Sequence, residues 1–233
     1  MLSPVDYLLW FASVFFEAAV VVCLFRSRFL TWYLPLNICM LGALLIGIGR
    51  FVALHHFGFL SLQYRYIYYF SDALSTVLLY FAIMALYQIM FKQMKVSQYI
   101  RAGSIFLLGA TALFSYLVIR DHKTQLLTRF AGELSQNLYF LGVVLTYLLW
   151  GALAKLRETR TRLVQLILAL GIYFSVSAIA YALRNMFSDL PVARLLVQLA
   201  GTFLPLAWAY TFWRVPEEAR LALARLAAPN PNQ

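Results

Sequence analysis

One carboxyl group stands where carboxyl groups are costly. Glu17 lies about 11 residues into the first long apolar run, ~16 Å along a helix axis and close to the middle of a bilayer. An ionisable side chain at that depth is a candidate for ligand or proton handling, with its partner to be named. Ser13 and Trp10 precede it on the same helix face, at i−4 and i−7. No Lys or Arg shares its depth, so with a mobile partner Glu17 would be the titrating group of a proton-coupled carrier. Arg50 and Asp72 are a second candidate pair. Helix rise places each ~8 Å in from the same bilayer surface, on consecutive runs joined only by 55–66, and they are expected to form an ion pair.

Other polar residues recur at spacings of three and four. Tyr173, Ser177, Tyr181 and Arg184 mark the sixth run. Arg194, Gln198 and Thr202 mark the seventh, ahead of Pro205. The third carries Asp72, Ser75, Thr76, Tyr80 and Tyr87, the second Gly42, Ala43, Gly47 and Arg50, and the fifth opens with Glu133, Gln136 and Asn137. Ser177, Gly47 and Thr202 fall near the depth of Glu17, so the stripes converge in one half of the bilayer. The facing half of runs one, three and six is mainly Val, Leu, Ile and Met. The expected ligand-binding set is Glu17, Arg50, Asp72, Ser177, Tyr181 and Arg184. The competing reading is that Ser, Thr, Gly and Asn only hold helices together by close packing and hydrogen bonds, with Arg50–Asp72 a structural pair.

His55-His56 and Phe57-Gly58-Phe59 precede Tyr64, Tyr66, Tyr68 and Tyr69 at the head of the third run. These rings either line a pocket or form an interface belt. Trp10, Trp32, Trp150 and Trp213 suit interface anchors.

Several chemistries lack their residues. No apolar run holds a deep lysine for a retinal Schiff base. His55, His56 and His122 lie at run ends, with no midplane pair for a b-type haem. There is no HExxH, GxSxG or glycine-rich phosphate loop, and no Pro-Gln dipeptide of the seven-helix sugar and amino-acid carriers. Cys23 and Cys39 stand in apolar runs without metal-ligand spacing. The expectation is a non-enzymatic protein without metal or cofactor.

The elements that must position these residues are membrane helices. Of 233 residues, 63% are hydrophobic and 12% charged, with a mean hydropathy of +0.77. Soluble domains run near 45–50% apolar and about 25% charged. Seven runs are long enough to cross a bilayer: 6–25, 33–55, 67–91, 102–119, 134–154, 163–184 and 191–213. They do not alternate as barrel strands do, so the fold class is an all-α bundle of seven membrane helices. The net charge of +10 comes from clusters at run ends, such as Arg26-Ser27-Arg28 and Lys155-Leu156-Arg157. That pattern fits a lipid surface and argues against nucleic acid.

Of 19 Lys and Arg, twelve fall on the inner side and seven on the outer if the N-terminus is outside. This favours N-out, C-in in a cell (inner) membrane, multi-pass. Met1 to Tyr7 carry no basic n-region, so the first run is expected to be a retained helix rather than a signal peptide. The domain plan is a seven-helix unit over 1–215, a short cytoplasmic amphipathic helix over 216–228, and a disordered tail over 229–233. Helices one to three and five to seven would share orientation, and Phe70-Ser71-Asp72 is echoed by Phe187-Ser188-Asp189. The spacings differ, and the echo reads as chance rather than as a transporter's 3+1+3 repeat.

Arg26-Ser27-Arg28 after the first run, Trp32-Tyr33-Leu34-Pro35 before the second, and Tyr69-Phe70-Ser71-Asp72-Ala73-Leu74 in the third are short motifs. Through them the whole chain resembles a group of uncharacterised bacterial seven-helix membrane proteins of similar length. It is also loosely similar to the seven-helix sensory modules of bacterial histidine kinases, without the kinase. The resemblance implies the fold and brings no activity, and a signal would pass to a membrane or cytoplasmic protein partner. The leading expectation is a sensor or accessory subunit binding a small or lipid-like ligand in an outward-opening pocket among the membrane lipids. A proton-coupled carrier using Glu17 and a scaffold without ligand are the alternatives.

Overall fold

Seven α-helices follow one another: α1 (Pro4–Arg26), α2 (Leu34–Phe57), α3 (Leu62–Met90), α4 (Ser97–Ile119), α5 (Leu126–Lys155), α6 (Thr161–Met186) and α7 (Pro191–Arg214). The structure, a computed structural model, describes residues 4–26, 33–59, 61–91, 97–120, 126–156, 160–187 and 191–216. Each helix is long and apolar enough to cross a bilayer. The tail expected over 216–228 and 229–233 lies, apart from Pro216, outside the described residues, as do Trp32 and the side chain of Arg194.

Local chemistry sets the α2–α3 hairpin. Pro35 stands in the first turn of α2, where a missing N–H costs nothing. Gly58 ends α2 at φ +75°, a conformation that favours glycine, and its N–H donates to the Leu54 carbonyl. The Ser61 hydroxyl oxygen then accepts from the Tyr64 N–H at 3.1 Å and caps α3. Helices α3 and α5 begin at Leu62 and Leu126, earlier than the apolar runs at 67 and 134. Arg65, Arg129 and Glu133 lower the hydropathy there, but a helix extends beyond the hydrocarbon wherever its charges can reach water.

The helices close into a ring in the order α1, α2, α3, α5, α6, α7, with α7 returning to α1. Helix α4 stands outside this ring, packed on α3 and α5. Its Phe106 and Phe114 are exposed and face where lipid would be. The Tyr80 hydroxyl on α3 donates to the Ser104 carbonyl at 2.7 Å, and Asn137 on α5 donates to Ser115 Oγ at 3.0 Å. Such bonds tie membrane helices together where lipid offers no competing partner.

The two ends of the ring differ. Toward the end where α1 finishes and α6 begins, the interior is filled by Val20, Leu36, Ile83, Leu86, Leu149, Leu166, Leu170 and Trp208. At that end Arg162 is buried, 7% exposed, and its guanidinium donates to the Val215 carbonyl through Nε (2.9 Å) and Nη2 (2.6 Å) while standing 5.8 Å from the Phe212 ring centre. The fork closes the end of α7 onto the start of α6. Lysine has no such planar fork, so Arg162→Lys is expected to lose roughly 1.5–3 kcal/mol, the range for hydrogen bonds to charged groups. Unfolding in mixed micelles with rising SDS measures this; an unmoved midpoint would show that the clamp contributes nothing.

Candidate functional site

The opposite half of the ring is hollow. A cavity of about 650 Å³ is bordered by all six ring helices, from Asp6, Phe59 and Phe187 at the bundle end to Glu17, Cys39, Leu79 and Leu204 at mid-depth. Phe59, Arg184 and Phe187 at its mouth are exposed. Below Glu17 the packed core closes it. From Asp6 to Glu17 the helix rise gives a depth of ~16 Å.

Of the residues singled out by type and spacing, Glu17, Arg50, Asp72, Tyr181 and Arg184 border this cavity. Ser177 does not. It lies one turn from both Tyr173 and Tyr181, and it is buried in helix packing while those larger rings take the cavity surface. The aromatic lead into α3 divides by helix face: Tyr64 and Tyr68, one turn apart, border the cavity, whereas Tyr66 and Tyr69 do not. Trp10, expected as an interface anchor, also turns inward.

Arg50 stands with Nη2 3.8 Å from Asp72 Oδ1. Its closer partners are Ser71 Oγ, which accepts from Nε at 2.6 Å, and the Tyr68 carbonyl, which accepts from Nη2 at 3.2 Å. The guanidinium also lies 4.6 Å from the centre of the Tyr68 ring. The other oxygen of Asp72 accepts the Tyr181 hydroxyl at 2.7 Å, and Arg184 lies 4.3 Å over the Tyr181 ring. Asp72 therefore joins α2 to α6 across the cavity. Tyr181→Phe removes a hydrogen bond to the Asp72 carboxyl, and a double-mutant cycle with Asp72→Ala is expected to show a coupling of about 1–2 kcal/mol. Additive effects of the two changes would show that the bond carries no weight.

The α1–α7 wall is built differently. Gln198 Nε2 donates to Asp6 Oδ1 at 2.9 Å, and the Thr202 hydroxyl is 3.3 Å from the Leu9 carbonyl. Pro205 has no N–H, so the Gly201 carbonyl one turn earlier loses its helical donor. The Ser13 hydroxyl lies 3.2 Å from that carbonyl and 3.1 Å from Glu17 Oε1. One hydroxyl proton cannot serve both acceptors at once. Glu17 is thereby linked through Ser13 to the proline of α7. Among the described residues its Oε2 has no hydrogen-bond partner, and neither does Gln198 Oε1.

Sequence reasoning passed over Asp6 and Tyr139. Asp6 sits at the bilayer boundary, where a carboxylate is inexpensive, so depth gives no signal. Tyr139 is one apolar-run aromatic among many. Its place beside Tyr173, with hydroxyl oxygens 3.3 Å apart, depends on how α5 is rotated against α6. Among the described residues no three His, Cys, Asp or Glu side chains gather as a ligand set for a metal ion.

Seven membrane-crossing helices, six of them around a half-open interior, define a multi-pass integral membrane protein of the all-α, seven-helix class. Comparison of the chain with protein-family models, with curated proteins and with solved structures gives no match.

Proposed function

We propose that the protein is a non-enzymatic sensor or accessory subunit of the cell (inner) membrane that binds a small or lipid-like ligand in this cavity. The observation that carries the reading is a mainly apolar space of about 650 Å³ with a few polar side chains converging on it, reaching from one bundle end to mid-depth and stopping on a packed core. Small-molecule sites fall in the range of about 300–1,000 Å³ with a few convergent polar groups. With the N-terminus outside, which the distribution of Lys and Arg favours, the mouth opens away from the cytoplasm. The route for a signal is α7. A ligand engaging Glu17 changes which acceptor the Ser13 proton serves, and so whether the Gly201 carbonyl at the proline bend is satisfied. A protein partner on the cytoplasmic side would read the movement.

Thermal-shift screening of the purified protein with small-molecule and lipid libraries tests the reading. Hits are expected to lose their stabilising effect in Glu17→Ala, Asp72→Ala or Tyr181→Ala while the variants still elute as single folded species. Hits that stabilise every variant as they stabilise the parent would remove the cavity from the binding.

The place of Glu17 on the cavity, beside the Ser13 hydroxyl, supports a second reading as a proton-coupled carrier. It predicts solute uptake into liposomes driven by a pH gradient and abolished by Glu17→Gln.

A further inference from the structure

The cavity's two walls carry opposite kinds of unmet demand. On the α2–α3–α6 side the charges answer one another: Arg50 stands beside Asp72 and lies against Tyr68, and Arg184 lies over Tyr181. On the α1–α7 side Glu17 forms no salt bridge with any described cation. Among the described residues, two buried side-chain atoms on the cavity lining lack hydrogen-bond partners, Glu17 Oε2 and Gln198 Oε1. Both are acceptors. A ligand that satisfies them brings N–H donors, and beside a lone carboxylate it gains by bringing positive charge.

Aromatic faces are provided at the same place. A Cβ on Gly47 would stand 3.1 Å from Val14 Cγ2 and 3.8 Å from both Glu17 Oε2 and Trp10 Nε1. The bare glycine thus lets α2 approach α1 closely beside the carboxylate and the indole edge. Trp10, Tyr139 and Tyr173 supply rings for an apolar body and for a cation. An anionic group at this floor would meet Glu17, with the Nε donor and one Nη2 donor of Arg50 turned to Ser71 and the Tyr68 carbonyl.

We infer that the cavity is a site for an organic cation, a protonated primary amine on an apolar body, with Glu17 as its counter-ion at the floor and the Gln198 carbonyl as a further acceptor nearer the mouth. The assignment rests on the ligand-cavity reading above and names its ligand class. The ammonium comes either from a soluble amine or from an ethanolamine headgroup.

The test uses Ser75→Cys, a cavity-lining position on α3, in the full chain with Cys23→Ser and Cys39→Ala, held in phosphatidylcholine nanodiscs. A cationic aminoethyl and an anionic sulfonatoethyl methanethiosulfonate are compared, each rate divided by that with a free small thiol. Carboxylates outnumber arginines three to two on the lining (Asp6, Glu17 and Asp72 against Arg50 and Arg184), so the cationic reagent is expected to react severalfold faster. Glu17→Gln is expected to bring the ratio close to one. A ratio at or below one, or one that Glu17→Gln leaves unchanged, would overturn the amine assignment and leave the ligand cavity standing. No reaction with either reagent would overturn both. Protection of the thiol by phenethylamine assigns the amine to solution. Protection on exchanging phosphatidylcholine for phosphatidylethanolamine assigns it to a headgroup. Protection by neither overturns the assignment.

Discussion

Gly142→Leu drives α5 away from α6. A Cβ on Gly142 would already overlap the Phe174 ring. One turn along the same crossing, a Cβ on Gly171 would come within 2.7 Å of Thr146 Cγ2 and 2.8 Å of Trp150 Cζ2. Each helix presents a glycine to a large side chain of the other. Lipid tails are as apolar as leucine, so contact between membrane helices depends on close packing rather than on escape from water. Phe174 cannot swing aside, because it is fully buried with Tyr173 at 5.9 Å and Tyr139 at 6.3 Å between ring centres.

Overpacking of this kind costs about 1–3 kcal/mol for one added methyl, so Gly142→Ala is expected in that range and Gly142→Leu above it. SDS titration of the purified protein reads the loss. Phe174→Ala removes the obstacle, so the pair Gly142→Ala with Phe174→Ala is expected to fall short of the summed single effects by more than about 1 kcal/mol. An unmoved midpoint in Gly142→Ala would mean that α5 and α6 do not meet this closely. The wedge also reaches the cavity, since Tyr139 and Tyr173 border it. Loss of the charge selectivity at Ser75→Cys is expected to accompany the loss of stability.

Trp208→Ala is expected to be the second large loss. The indole is 0% exposed and is the largest fully buried side chain among the described residues, and its Nε1–H donates to the Leu166 carbonyl at 3.3 Å. In water-soluble cores a buried Trp→Ala change costs about 3–5 kcal/mol, of which the transfer part shrinks when the surroundings are lipid, leaving roughly 2–4 kcal/mol for the void and the lost bond. Trp208→Phe keeps most of the volume and is expected to cost about 0.5–1.5 kcal/mol for the hydrogen bond. Trp213, 77% exposed near the end of the same helix, serves as the control, and Trp213→Ala is expected to stay within about 0.5 kcal/mol of the parent. Equal losses at 208 and 213 would contradict the orientation of α7. Trp208 follows Pro205 by less than one turn, so it anchors the stretch of α7 below the proline while the stretch above borders the cavity.

How much of this was legible in the residues depends on which interaction fixes each feature. The spans themselves were legible one at a time, because a bilayer obliges every segment to close its own backbone hydrogen bonds and to cover itself with about 20 apolar residues. The nearness of Arg50 and Asp72 was legible too. Depth follows from counting 1.5 Å per residue, and helices joined by a short hairpin are neighbours. The concentration of polar side chains in one half came from the same count, and the cavity lies in that half.

Rotation about a helix axis is another matter. In a soluble helix the apolar stripe points to the core, but here lipid and core are equally apolar, so composition does not say which face turns inward. That is why Ser177 and Tyr181 share a stripe yet only Tyr181 reaches the cavity, and why Trp10 faces inward rather than toward the headgroups. Arg162 counts in the sequence as one more basic residue at a membrane edge, and only its fork onto Val215 makes it a clamp. The exclusion of α4 from the ring, the meeting of Ser13 with the Gly201 carbonyl, and the interlocking glycines of α5 and α6 all depend on contacts between helices far apart in the chain. Hydropathy reports the exchange of each segment between water and lipid. The pairing of one helix with another is decided by side-chain shape and hydrogen bonding after that exchange is complete, and those are settled only when the helices meet.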